Sequence, residues 1–183
     1  MRLWLARHAQ PLVRAGICYG QLDMPADPLA TRQCAERLAQ ALPRETTIFS
    51  SPLQRCEQLR KELCGLRTDL ASKTIPGLQE MAFGAWEGLA WSAIGKPDID
   101  AWTADFAHYR AGLTGESVSQ FMDRVAAALD TLDRAAPGHT LWLTHAGVIR
   151  AATLLAAGTR QVSHASEWPT AGPAFGQWVT LAL

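Results

Sequence analysis

The chain has 183 residues, 48% hydrophobic and 19% charged, and its seventeen basic residues cancel seventeen acidic ones. This length suits one globular domain, spanning 1–183, with a sizeable core. A neutral chain without basic clusters gives no electrostatic reason to expect nucleic acid or an anionic membrane as partner. No run of about twenty apolar residues is present. Arg7 and His8 fall inside what would be a signal peptide's apolar region. Cys18, Cys34, Cys56 and Cys64 show neither a C-x-x-C pair nor zinc spacing. They read as small core hydrophobes in a reducing compartment, so the expected location is cytoplasmic.

Residues 2–6 (RLWLA) predict a short buried strand. Residues 29–42 predict a helix stopped by Pro43, and TTIFS at 46–50 predicts a second strand. The next segment, SSPLQRCEQLRKELCG, predicts a helix with Ser51 as N-cap, Pro52 at its first position and Gly65 closing it. A strand at 73–76 leads into a glycine-broken loop, GLQEMAFGAWEG. The tryptophan-rich stretch 86–113 is irregular and partly helical. Residues 117–135 predict an amphipathic helix with a Ser117/Gln120 capping box and a stripe of Val118, Phe121, Met122, Val125, Leu129 and Leu132. Pro137 and Gly138 break the chain before a strand at 140–144. A helix at 145–158, ended by Gly158, precedes a terminal edge strand at 176–183.

Strands alternating with helices predict a three-layer α/β/α sandwich with a mostly parallel central sheet. Ligands of such sheets bind beyond the carboxyl ends of the strands. There the sequence places Arg7 and His8, then Arg55, then Glu80, then His145. Two arginines and a helix N-terminus suit a compact dianion such as a phosphoryl group. Neighbouring cations keep a histidine neutral, and a neutral imidazole can attack phosphorus to give a phosphohistidine. Glu80 can protonate the leaving alkoxide once a phosphate dianion beside it keeps its carboxyl protonated. No metal or other cofactor is required. A metal-hydrolase reading through His8, His145 and Asp23 is disfavoured, because the arginines would repel a cation. Glu87 and Glu116 compete for the acid role, but Glu116 better supports a helix N-terminus. Trp86, Trp91 and Trp102 either pack the core or line a substrate pocket. Arg124 and Arg150 read as structural, and His108, His139 and His164 as surface residues.

The motifs Arg7-His8-Ala9, SSPLQRC, LQEMAFGAWEG, Gly115-Glu116-Ser117 and THAG occur in this order. Together they resemble the histidine phosphatase, or phosphoglycerate-mutase-like, family. The resemblance implies His8 as the phosphorylated nucleophile, Arg7 and Arg55 as phosphate clamps, Glu80 as proton donor and His145 as a second histidine contacting the phosphoryl group. It also implies Gln10, Tyr19, Gly20, Gln21, Ala146 and Trp86 as substrate-binding residues. Ala9 departs from the family's glycine, and Pro11-Leu12-Val13-Arg14 departs from its Thr/Ser-then-Asn run. The GICYGQLDMP loop is similar to that of the α-ribazole phosphatase subgroup. The implied activity is a metal-independent phosphomonoesterase acting on a small phosphorylated metabolite. Alternatives are a mutase, a broad-specificity metabolite phosphatase and a non-catalytic phospholigand-binding protein.

Overall fold

In the computed structural model, which describes residues 2–132 and 138–182, five short segments become strands of one sheet. These are β1 (Arg2–Arg7), β2 (Thr46–Ser50), β3 (Ser72–Thr74), β4 (His139–Thr144) and β5 (Trp178–Ala182), in the order β3-β2-β4-β1-β5. The first four run parallel, and β5 pairs antiparallel with β1 at the sheet edge. The helices are α1 (Pro28–Ala41), α2 (Gln54–Leu66), α3 (Lys96–Ala104), α4 (Val118–Asp130) and α5 (Ala146–Ala156). The α/β class, with a mostly parallel sheet between helices, is the one the alternating pattern predicts.

The pleat sorts the core into two halves. Leu3, Leu5 and Trp142 join the side chains of α4 and α5 on one face. Trp4, Ala6, Leu141 and Leu143 join those of α1 and α2 on the other. Coverage of both faces explains why the central strands read as continuous apolar runs. Cys18, Cys34 and Cys56 are buried within this packing, and burial pushes the Cys18 thiol up to about 12 and that of Cys34 up to about 11. No helix among the described residues is long and apolar enough to cross a membrane.

Several boundaries differ from the sequence expectation, each for a local reason. Helix α2 starts at Gln54, not at Pro52. The Ser51 hydroxyl accepts from the Leu53 amide and also faces His145, so it serves the strand end rather than capping the helix. Gly65 lies inside α2, and Arg67 is the C-cap. Strand β3 stops at Thr74 because Pro76 opens a 3₁₀ turn, Pro76–Leu78. The 86–113 stretch resolves into 3₁₀ turns at Gly84–Trp86 and Trp91–Ala93, followed by α3. Helix α4 ends at Asp130. Its expected last turn and the Pro137 break fall on 133–137, outside the described residues.

The capping box of α4 forms as expected. Ser117 Oγ accepts from the Gln120 amide at 3.2 Å, and Gln120 Oε1 accepts from the Ser117 amide at 3.0 Å. Ser117→Ala leaves one of these donors unmet and should cost about 1 kcal/mol of stability. Urea unfolding measures this, and an unchanged midpoint would show that the cap contributes nothing.

Candidate active site

Parallel pairing of Arg7 with Thr144 carries β1 and β4 to the same edge, so His8 and His145 leave the sheet side by side. Their ring centroids are 5.1 Å apart. The His8 amide donates to Thr144 O, and the Ser51 amide donates to Leu143 O, which aligns the end of β2 with the other two. Arg55, on the first turn of α2, reaches this edge as a fully buried guanidinium.

His8 is 1% exposed, and its Nδ1 lies 2.7 Å from the Ala9 carbonyl oxygen. A carbonyl only accepts, so Nδ1 carries the proton and Nε2 keeps its lone pair. Burial first, then the charge of Arg55 and, to a lesser extent, that of Arg7, push His8 down to about 3, while the Ala9 carbonyl pulls the other way. Ala9 is outside the positive-φ region, so its Cβ adds no backbone strain where the family has glycine.

His145 is fully buried and differs from the expectation of a free phosphoryl contact. Arg55 Nε donates to its Nδ1 at 3.3 Å, which leaves the proton on Nε2 for Ser51 Oγ at 2.9 Å. Both ring nitrogens are occupied, and His145 meets the site through Arg55. Burial, then the charge of Arg55, then that of His8 hold it well below the ordinary histidine value.

Arg55 also donates to Leu22 O at 3.0 Å and Gly20 O at 2.6 Å. With Nε, these bonds use three of its five donors. Arg7 donates from Nη1 to Pro173 O at 3.1 Å and stacks 3.7 Å over the Phe175 ring. Its Nε is buried without a hydrogen-bond partner. Burial lowers the Arg7 pKa, opposed by the neighbouring Tyr19. Among the described residues neither arginine forms an ion pair. One buried cation, one half-buried cation and an unmet donor make a site suited to a phosphoryl dianion.

Glu80 arrives from the loop after β3. Its carboxylate accepts from the Gly147 amide at 3.0 Å, on the first turn of α5, and from the Met81 amide at 3.1 Å. A helix N-terminus is a favourable seat for a carboxylate. A Cβ on Gly147 would run into that carboxylate, so the glycine of THAG leaves space for Glu80.

The other expected contacts divide. Tyr19 sits between the two arginines, its ring 5.3 Å from the Arg55 guanidinium carbon. Gly20 acts through its carbonyl on Arg55, and Gln21 Nε2 holds Glu80 O at 3.0 Å. Ala146 begins α5 beside Gly147. The Gln10 side chain is exposed and turns to Pro11 O. Trp86 is a core residue, stacked on Tyr109 and packed against Trp102. Glu87 binds the Gln21 and Phe83 amides, and Asp23 binds the Gln54 amide and side chain, so both organise loops.

A cavity of about 420 Å³ opens beside Glu80 and Gly147, with Trp102, Phe106, Trp168 and Arg150 in its wall. Phe175, which packs on His8 at 5.6 Å, escaped the motif-based reading. Its only sequence signal is its place just before the last strand. The antiparallel pairing of β5 with β1 brings it to the end of β1.

This chain matches the model of the histidine phosphatase superfamily (branch 1) over residues 3–171. It is 28% identical over 159 residues to the metal-independent phosphoserine phosphatase of Arabidopsis thaliana, which covers 80% of this chain and 65% of that protein. The chain thus spans less than two thirds of that relative. A solved structure of a phosphoglycerate mutase from Thermus thermophilus is similar at 29% identity and TM-score 0.73, covering 99% of this chain and 92% of that one. A mycobacterial glucosyl-3-phosphoglycerate phosphatase, solved with VO3, is similar at 27% identity and TM-score 0.80 over the same shares of 99% and 92%. The chain belongs to the histidine phosphatase superfamily, branch 1.

Proposed function

We propose that residues 1–183 act as one catalytic unit, a metal-independent phosphomonoesterase working through a phosphohistidine on His8. The observation that carries this reading is the imidazole held neutral by burial and by the neighbouring guanidinium groups, with its free nitrogen unprotonated. Arg7 and Arg55 grip the phosphoryl oxygens with the donors they have left. His8 Nε2 attacks phosphorus, a P–N bond forms, and the P–O bond to the alcohol breaks. Glu80, which takes up a proton when the phosphate dianion binds beside it, gives that proton to the departing oxygen, a service worth about 10²–10⁴ in rate. Water then attacks the phosphohistidine and returns a proton to Glu80. Inorganic phosphate leaves, and His8 recovers its lone pair. His145 keeps Arg55 aimed through its Nδ1.

The aromatic wall of the cavity supports a substrate whose alcohol carries a flat, apolar group. Trp102, Phe106 and Trp168 stand where the leaving group would sit, next to Glu80. α-Ribazole 5′-phosphate has this form and is the substrate we favour. Aromatic stacking adds about 1–3 kcal/mol per base, which is tenfold or more in binding. A mutase or a phosphatase of small polar esters is the second reading, favoured by the names of the relatives.

A phosphate-release screen with EDTA present tests both levels. We expect kcat/KM for α-ribazole 5′-phosphate to exceed that for 3-phosphoglycerate and phosphoserine by about tenfold or more. Trp102→Ala should raise KM for the aromatic substrate and leave the small esters nearly unchanged. Phosphoglycerate as the best substrate would remove the substrate assignment. A protein that binds vanadate but releases no phosphate from any ester would be a binding protein.

His8 also makes stability depend on pH. Its native value is about 3 against an ordinary 6.5. Between these values the unfolded chain holds a proton that the native state lacks, so stability falls as pH falls through that window. His8→Asn should flatten the slope by up to about 1.4 kcal/mol per pH unit. Denaturant titrations between pH 6 and 4, at roughly half-unit steps, measure the slope. An unaltered slope would mean that His8 titrates normally in the native state.

A further inference from the structure

We propose that the Arg124–Glu116 ion pair is the positioning device for Glu80, an inference that rests on Glu80 being the proton donor. The loop that carries Glu80 belongs to no strand or helix of its own, yet its main chain is gripped at four residues. Arg124 Nη1 donates to Gly77 O at 3.0 Å and to Gln79 O at 2.8 Å. Its Nη2 donates to Glu80 O at 3.2 Å and to Glu116 Oε2 at 2.7 Å, and its Nε donates to Glu116 Oε1 at 2.8 Å. All five guanidinium donors are used. Glu116 Oε2 in turn accepts from the Ala82 amide at 2.9 Å, and the Glu116 amide donates to Ala82 O at 2.8 Å.

The pair thus holds the backbone on both sides of Glu80. Its two members stand on α4 and on the residue before that helix's N-cap, so the grip is rigid with α4. Helix α5 fixes the carboxylate itself through Gly147. Backbone and carboxylate are anchored to two helices packed on each other. Glu116 therefore does not act mainly on the helix N-terminus, as its place in the sequence suggests. The fork geometry is specific to arginine. Three carbonyls and two carboxylate oxygens lie around one plane, and a lysine ammonium offers three donors from a single point.

A pair that merely stabilised the loop would affect all substrates alike. A pair that acts through Glu80 affects only reactions that need a proton donated. The test compares kcat/KM for an alkyl phosphate and for p-nitrophenyl phosphate, whose leaving group needs little protonation. The variants are Arg124→Lys, Arg124→Ala and Glu116→Gln, each alone and combined with Glu80→Gln, and vanadate affinity reports an intact site.

We expect each single variant to lose about 100-fold on the alkyl ester, the cost of misplacing a reacting group by about 1 Å. p-Nitrophenyl phosphate and vanadate affinity should change little. In the Glu80→Gln background the same substitutions should cost nothing further on the alkyl ester, because they act through a group already removed. If Glu80→Gln itself slows both substrates equally, the acid assignment fails and the positioning role falls with it. If Glu80→Gln discriminates but the Arg124 and Glu116 losses persist undiminished in its background, the positioning role alone is wrong. Equal losses on both substrates together with lost vanadate affinity also overturn it. Should Arg124→Ala not fold, Arg124→Lys and Glu116→Gln decide the question.

Discussion

The rest of the site depends on one hydrogen bond, from His8 Nδ1–H to the carbonyl of Ala9. It fixes the tautomer and leaves Nε2 of a buried imidazole with a free lone pair. Burial, and then the guanidinium groups beside it, disfavour an imidazolium, so the same cations that suit a phosphoryl dianion help to keep the ring unprotonated. The arrangement is costly. Arg55 is a fully buried cation without a carboxylate among the described residues, and the carbonyls of Gly20 and Leu22 only partly replace its hydration. That imbalance is one that a bound anion would correct.

Topology supplies the geometry. Parallel pairing of β1 with β4, and of β4 with β2, brings His8, His145 and Ser51 to adjacent strand ends. Only the edge strand β5 runs the other way, and its entry brings Phe175 and Pro173 onto Arg7. Glu80 comes from outside the sheet, on a loop tied to two helices through Arg124 and Gly147. Its carboxylate lies beside a cavity with Trp102, Phe106 and Trp168 in its wall.

Much of this was legible in the sequence. Strands β1 and β4 are short apolar runs with buried interiors, β2 is rich in β-branched residues, and the strand ends carry charged and imidazole groups. The capping box of α4 was readable because its two partners are three residues apart. Features that depend on distant partners were not. Ser51 looks like an N-cap until His145 comes within reach of its hydroxyl. Gly65 looks like a helix end, but nothing forces it into a left-handed conformation. Trp86 and Trp102 are chemically alike, and only packing sends one to the core and the other to the cavity wall. Arg124 serves carbonyl groups, which every residue has, so no side-chain pattern announces it.

The most direct measurement is the identity of the nitrogen that carries the phosphoryl group. The protein, with its histidines nitrogen-labelled, is trapped as the phosphoenzyme and examined by phosphorus and nitrogen NMR. A phosphoryl group on Nε2 of His8, with Nδ1 still protonated and bonded to Ala9, is the result expected from a tautomer fixed before substrate arrives. A phosphoryl group on Nδ1 of His8, or on His145, would contradict it.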